Sequence, residues 1–209
     1  MKKSSRYPCN LVCGLTLLLC WLTIPHPPAH AAENPMAQVE RSVNQVIDVL
    51  KSNPVKNESR RKELSSLLRK RFDFETMSQY VLGPQWRMAS QAEKDQFTTL
   101  FSDLLEASYI GHIEAYSDEK VTFSDELVEG DRARVGTLVL TATNEIPIEY
   151  RLKNHQAEWL VYDVIIEGVS LVRTYRDNYR EIVRKEGMPG LLERMREKLS
   201  EIRRQDAAG

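Results

Sequence analysis

Residues 159–179 read WLVYDVIIEGVSLVRTYRDNY, and what this stretch buries decides the fold. From Trp159 to Ile166 the chain is dominated by Val, Ile, Trp and Tyr, with no helix former to break the run, which predicts a β-strand. Strict alternation puts Trp159, Val161 and Ile165 on one side and Leu160, Tyr162, Val164 and Ile166 on the other; Asp163 is the only charge inside the run. A strand that is apolar on both faces needs apolar material on both sides of its sheet. Beyond it, Gly168 and Ser170 read as a strand-to-helix turn, the glycine supplying backbone freedom and the serine a helix cap. Helical spacing then returns with Val169, Val172, Tyr175, Tyr179 and Ile182, and Gly187 and Pro189 separate a last, charged helix.

Upstream of the strand the period is two. Strands are expected at about 119–128, 132–143, 146–153 and 158–166, joined by turns short enough for antiparallel hairpins. Ile146, Ile148, Tyr150 and Leu152 alternate most cleanly, and Pro147 fits near the start of its strand or at an edge. Before residue 117 the period is helical. Val39, Val43, Val46, Ile47 and Leu50 form a stripe over 35–53, Leu64, Leu67 and Leu68 over 57–72, and Asp73 caps a segment that stops at Gly83-Pro84. The longest helix, 90–116, opens on the capping box Ser90-x-x-Glu93 and repeats Phe97, Phe101, Leu104, Leu105 and Tyr109. Helices beside a run of strands give an α+β fold, a curved four-stranded antiparallel sheet with helices packed on one face.

The first 31 residues carry a different message. Lys2, Lys3 and Arg6 precede the apolar LVCGLTLLLCWLTI (11–24), and AHA (29–31) supplies the small residues that a signal peptidase reads, so cleavage is expected after Ala31. The apolar run is shorter than the ~20 residues a bilayer span requires. Neither Cys13 nor Cys20 follows a small residue, which argues against lipidation. Cleavage removes Cys9 as well, so residues 32–209, expected as one domain, hold no disulfide, thiolate nucleophile or cysteine metal site. They keep 26 basic against 30 acidic residues, a formal charge of −4, which argues against nucleic acid as the main partner.

Catalytic readings are thin. His112 and His155 are the only histidines after residue 31, and neither has a partner at metal spacing. Ser170 lies in EGVSL, which lacks the second glycine of a nucleophile elbow. Asp163 has two readings: a buried general base, as in isomerases with a cone-shaped α+β fold, or a structural carboxylate that accepts hydrogen bonds or pairs with a basic neighbour such as Arg173 or Arg176. The basic runs SRRK (59–62) and RKR (69–71) are read either as a solvated helix face or as a docking patch for anionic lipid or an acidic partner. The surplus of large apolar groups on the long helix and the last strand fits a thick core, with helices wrapping the sheet edge, or a ligand cavity.

Two signatures bear on the choice by likeness. The stretch RFDFETMSQYVLGPQWRMASQAEKDQFTTLFSDLLEASY (71–109) holds F-x-x-x-x-x-x-V-L-G-x-x-W over 74–86, and W-x-V-Y-D-V-x-I-E-G-V-S-L-V spans 159–172. Together they resemble the MlaC or toluene-tolerance family of periplasmic phospholipid carriers, over nearly all of residues 32–209. The resemblance implies an NTF2-like fold with a lipid cavity between sheet and helices, and no enzymatic step or cofactor. It also implies a phospholipid ligand, a monomer, and partners in an outer-membrane lipoprotein-porin complex and an inner-membrane ABC transporter that together maintain outer-membrane lipid asymmetry. Hopanoid-associated carriers resemble the same pattern. The residues then expected to line the cavity are Val81, Trp86, Phe97, Phe101, Leu104, Leu105 and Tyr109 from the helices, and Val139, Ile148, Tyr150, Trp159, Val161, Ile165 and Val169 from the sheet and its exit.

Overall fold

Side-chain caps set the helix starts. In the computed structural model, which describes residues 34–116, 119–156 and 158–208, Asn34 Oδ1 accepts from Ala37 N at 2.7 Å and opens α1, Pro35–Ser52. Asn57 does the same for α2, Glu58–Arg71, and Asp73 for α3, Phe74–Leu82, each accepting at 2.9 Å. Gly83, at φ 56°, ends α3. A short helix α4, Pro84–Met88, follows, although Gly83-Pro84 reads as a stop; proline suits a first turn, where its missing N–H has no helical partner to lose. The capping box starts α5, Gln91–Glu114, with Ser90 N donating to Glu93 Oε2 at 2.8 Å and Glu93 N to Ser90 Oγ at 3.3 Å. The expected cleavage site after Ala31 lies outside the described residues.

The sheet is an antiparallel meander in the order β1-β2-β3-β4-β5. Its members are β1 Lys120–Glu129, β2 Arg132–Leu140, β3 Glu145–His155, β4 Glu158–Ile166 and β5 Val169–Ser170. Four strands are expected from the sequence, and the fifth is the two-residue β5. Glu167 and Gly168 both take positive φ, 51° and 82°, so the chain folds straight back and Ile166 faces Val169. Paired positive φ is the signature of a tight primed hairpin turn. Ser170 then caps the last helix, α6 Leu171–Ala208, its Oγ accepting from Arg173 N at 3.0 Å. Gly187, at φ 70°, breaks that helix in two.

One irregularity governs which side chains face where. Arg151 pairs with Asp163 and Leu152 with Val161, so Tyr162 is an extra residue on β4. Such a bulge shifts the pleat by one residue. Trp159 and Val161 before it, and Val164 and Ile166 after it, share one face, while Asp163 and Ile165 turn to the other. Strict alternation, which groups Ile165 with Trp159 and Val161, is corrected by this single insertion.

Apolar packing falls into three clusters. One is helical, built from α3, α5 and α6, with Phe101 stacked at 5.7 Å on Phe97 and edge-on at 5.2 Å to Tyr175. A second joins Val39 of α1 to Val135, Leu152, Trp159, Val161 and Val164 of the sheet. The third holds Leu50, Leu64 and Ile110 where α1, α2 and α5 meet. Gln38 fixes α1 to the sheet by exchanging hydrogen bonds with the backbone of Trp159, its Nε2 donating to the carbonyl and its Oε1 accepting from the amide at 3.0 Å. While α1, α2 and α5 stand over one face of the sheet, α3 and the start of α6 wrap the β4 edge, so that Tyr80 and Arg176 reach the other face.

Candidate functional site

Between the sheet and α1, α2 and α5 lies a cavity of about 450 Å³ with an almost wholly apolar wall. Its floor is the face set by the bulge: Trp159, Val161, Val164 and Ile166 from β4, with Ile146, Ile148, Tyr150 and Leu152 from β3 and Val121 and Val139 from β1 and β2. Strand β3 contributes four consecutive inward positions because its alternation is unbroken there. The roof is α1, through Val39, Val43, Val46, Ile47 and Leu50, and α2 with its exit, through Leu67, Leu68, Phe72 and Phe74. The far half of α5 closes one side with Leu105, Tyr109, Ile110 and Ile113. Val43, Val46, Ile47 and Ile148 are only half-buried, because they border the void rather than a packed neighbour. A volume of this size falls within the range of small-ligand pockets.

Of the residues expected to line the cavity, Leu105, Tyr109, Val139, Ile148, Tyr150, Trp159 and Val161 stand in its wall. Val81, Phe97, Phe101 and Leu104 do not, and are buried in the α3–α5–α6 core; Trp86 packs against that same core. The reason is the length of α5: its first turns face α6 and only its last turns pass over the void, yet both halves show the same apolar period. Ile165 is turned away by the bulge, and Val169, 58% exposed, by the β4–β5 hairpin. The whole roof is absent from the expected lining. The stripe on α1 is legible as an amphipathic face, but nothing in it tells a void from a packed neighbour.

The polar groups around the cavity act as ties. Arg69 donates to Glu106 at 2.8 Å, Asp103 at 2.7 Å and Ser102 at 3.1 Å, joining α2 to α5, and Arg71 donates to Glu158 at 2.9 Å, joining α2 to β4. Arg60, only 3% exposed, and Arg61 flank the buried carboxylate of Glu114, Arg61 at 2.9 Å. The basic runs are therefore neither a simple solvated face nor a free docking patch, because four of their arginines are committed to acids on other elements. Burial pushes the Tyr150 hydroxyl above its ordinary range, against an opposing hydrogen bond with Thr137, and burial does the same to Tyr109.

Asp163 stands on the opposite face of the sheet from the cavity. Its oxygens accept from Ser170 Oγ at 2.7 Å and Val172 N at 3.1 Å, and Arg151 Nη1 lies 3.7 Å away. Its basic partner is thus the cross-strand Arg151 rather than Arg173 or Arg176; the latter donates through Nε to the Tyr80 carbonyl at 2.7 Å. A carboxylate that caps α6 from behind the sheet cannot reach a ligand held in front of it. His155 contacts Asp73 at 2.7 Å and His112 sits beside Tyr109. No cluster of three potential metal ligands occurs among the described residues, nor does any helix there have the length and apolarity to cross a membrane. Asp163→Asn keeps an acceptor for the α6 cap but loses the charge, so it should fold with a loss of about 1–3 kcal/mol. Its content of bound apolar ligand should match wild type, checked by denaturant titration beside solvent extraction; loss of ligand without loss of stability would place Asp163 in the binding site.

Sheet, roof helices and void together define an α+β protein with an apolar cavity between its sheet and helices. The family model of MlaC protein matches residues 40–197, and the chain belongs to that family. It is 28% identical over 127 residues to the intermembrane phospholipid transport system binding protein MlaC of Haemophilus influenzae, an alignment covering 58% of this chain and 59% of that protein. It is 24% identical over 164 residues to the toluene tolerance protein ttg2D of Pseudomonas putida, covering 75% and 76% of the two chains. The structure of a phospholipid-binding protein from Ralstonia solanacearum, in complex with a phospholipid, superposes with a TM-score of 0.76 at 23% identity, over 81% of this chain and 99% of that one.

Proposed function

We propose that this protein is a phospholipid carrier of the periplasm, which holds acyl chains in the cavity between the sheet and α1, α2 and α5. It passes lipid between an outer-membrane lipoprotein-porin complex and an inner-membrane ABC transporter, and so maintains outer-membrane lipid asymmetry. The observation that carries this reading is the 450 Å³ void itself, floored by β3 and β4 and walled almost entirely by hydrocarbon. The names of the relatives and the phospholipid bound by the structural neighbour support it, and the basic and apolar segments before Ala31 support export by a cleaved signal.

The energetics suit exchange. Each buried CH₂ is worth about 0.8 kcal/mol, so a sixteen-carbon chain gains roughly 13 kcal/mol on leaving water. A bilayer offers nearly the same gain. The protein then removes the aqueous barrier between two apolar phases without holding its cargo irreversibly, and no nucleotide site is needed in this chain.

Native mass spectrometry of protein purified from a Gram-negative periplasm without detergent tests the reading. Stoichiometric phospholipid, chemically intact, is expected, with the headgroup identified by extraction of the same sample. A folded protein that arrives empty would overturn the carrier assignment, and one that carries a hopanoid would replace the phospholipid.

A further inference from the structure

A second concavity, about 580 Å³, opens on the opposite face of the sheet, between the outer surface of β2–β4 and the first turns of α6. Four arginines from three elements line it: Arg132 of β2, Arg151 of β3, and Arg173 and Arg176 of α6. Arg132 is held in place by Tyr80, its Nη2 donating to the hydroxyl at 2.9 Å, and its guanidinium lies 5.6 Å from the centre of the Tyr162 ring. Arg176 is anchored to the Tyr80 carbonyl through Nε alone. Each guanidinium has five N–H donors, so both keep donors to spare. Arg173 is exposed, and its side chain makes no hydrogen bond or ion pair among the described residues. The two acids in the wall are already engaged: Asp163 by Ser170, Val172 and Arg151, and Asp177 by Arg180 at 3.0 Å. Beside the arginines stand two apolar groups, Ile165 and the exposed Val169.

We propose that this cleft docks an acidic, partly apolar segment of a protein partner, with its carboxylates on Arg132, Arg173 and Arg176 and an apolar side chain on Val169 and Ile165. Arg132 and Arg176, fixed in advance by aromatic and backbone contacts, suit carboxylates because little of their side-chain freedom remains to be lost on binding. A membrane surface fits the cleft less well. The site is concave and interspersed with acids, and a formal charge of −4 over residues 32–209 gives no general attraction to anionic lipid. The cavity lies across the sheet, so a segment seated here leaves the cavity walls untouched. The inference stands on the cleft alone and holds whatever the cavity carries.

The test is fluorescence anisotropy of a labelled peptide of alternating Glu and Leu against protein purified from the periplasm, with phosphatidylglycerol vesicles and inorganic phosphate as competitors. Saturable binding that weakens with salt is expected. Arg173→Glu should weaken it about tenfold or more, as reversal of an exposed interface charge can. Val169→Glu should weaken it in the same direction. Both sites are exposed and both variants should keep the wild-type content of bound lipid, which separates failure of docking from failure of the carrier reading. Undiminished peptide binding by Arg173→Glu and Val169→Glu would overturn the proposal. So would vesicles that bind in an Arg173-dependent manner while the peptide does not, or inorganic phosphate that displaces the peptide as well as unlabelled peptide does.

Discussion

Ile166→Glu should leave the periplasm folded and empty, whereas Ile165→Glu, the neighbouring residue on the same strand, should leave it loaded with lipid. The bulge at Tyr162 places Ile166 in the cavity floor and Ile165 in the outer cleft. A carboxylate at 166 would face hydrocarbon without a partner, and an unpaired acid in such a place costs several kcal/mol or is forced to take up a proton. A penalty of about 3 kcal/mol against the bound chain lowers occupancy more than a hundredfold. A carboxylate at 165 instead enters a cleft lined by Arg132, Arg151 and Arg173 and open to water. Both isoleucines are only half-buried, so neither substitution demolishes the core. Circular dichroism checks the fold and extraction counts the lipid. The reverse result, lipid lost at 165 and kept at 166, would mean that β4 alternates without the bulge.

Glu114→Gln should cost about 3–5 kcal/mol, the usual penalty for stripping a buried ion pair of one member. Glu114 is 4% exposed at its side chain and receives Arg61 at 2.9 Å, with Arg60, 3% exposed, at 3.6 Å. Removing the negative charge leaves the Arg60 guanidinium buried without a counter-ion. Its Nη1 still donates to the Asn53 carbonyl at 3.0 Å, so the charge cannot swing out to water without losing that bond as well. The Arg61 hydrogen bond to Glu114, which helps to hold its guanidinium above its ordinary pKa, weakens to a bond with a neutral amide oxygen. For a chain of this size the loss corresponds to a fall in Tm of roughly 10 °C. A change within about 0.5 kcal/mol, the range of ordinary surface substitutions, would show that water reaches the pair.

Local chemistry wrote most of the fold into the sequence. Asn34, Asn57, Asp73 and the Ser90–Glu93 box start helices where cap rules place them, and the alternation of Ile146, Ile148, Tyr150 and Leu152 gives both β3 and its cavity face. Most of the features that escaped depend on residues distant in sequence. The bulge exists only as a register between β3 and β4, and the pattern from Trp159 to Ile166 is greasy on both sides whichever phase is chosen. Phe97 and Phe101 share the helical period of Leu105 and Tyr109, and only the position of α6 decides that the first pair is core and the second is wall. Arg69 reads as one more solvated cation until Asp103 and Glu106 are seen opposite it. The short hairpin at Glu167-Gly168 escaped because its first residue carries a side chain at positive φ, which Asn or Gly would have announced.

The position of the cargo is open to one direct measurement. A phospholipid bearing a diazirine along one acyl chain, loaded into the protein and photolysed, should label α1 at Val43, Val46 or Ile47 and the floor at Ile148, Tyr150 or Ile166, as mapped by peptide mass spectrometry. Labels concentrated on Val81, Phe97 or Phe101, or on Ile165 and Val169 across the sheet, would contradict a cavity between the sheet and α1, α2 and α5.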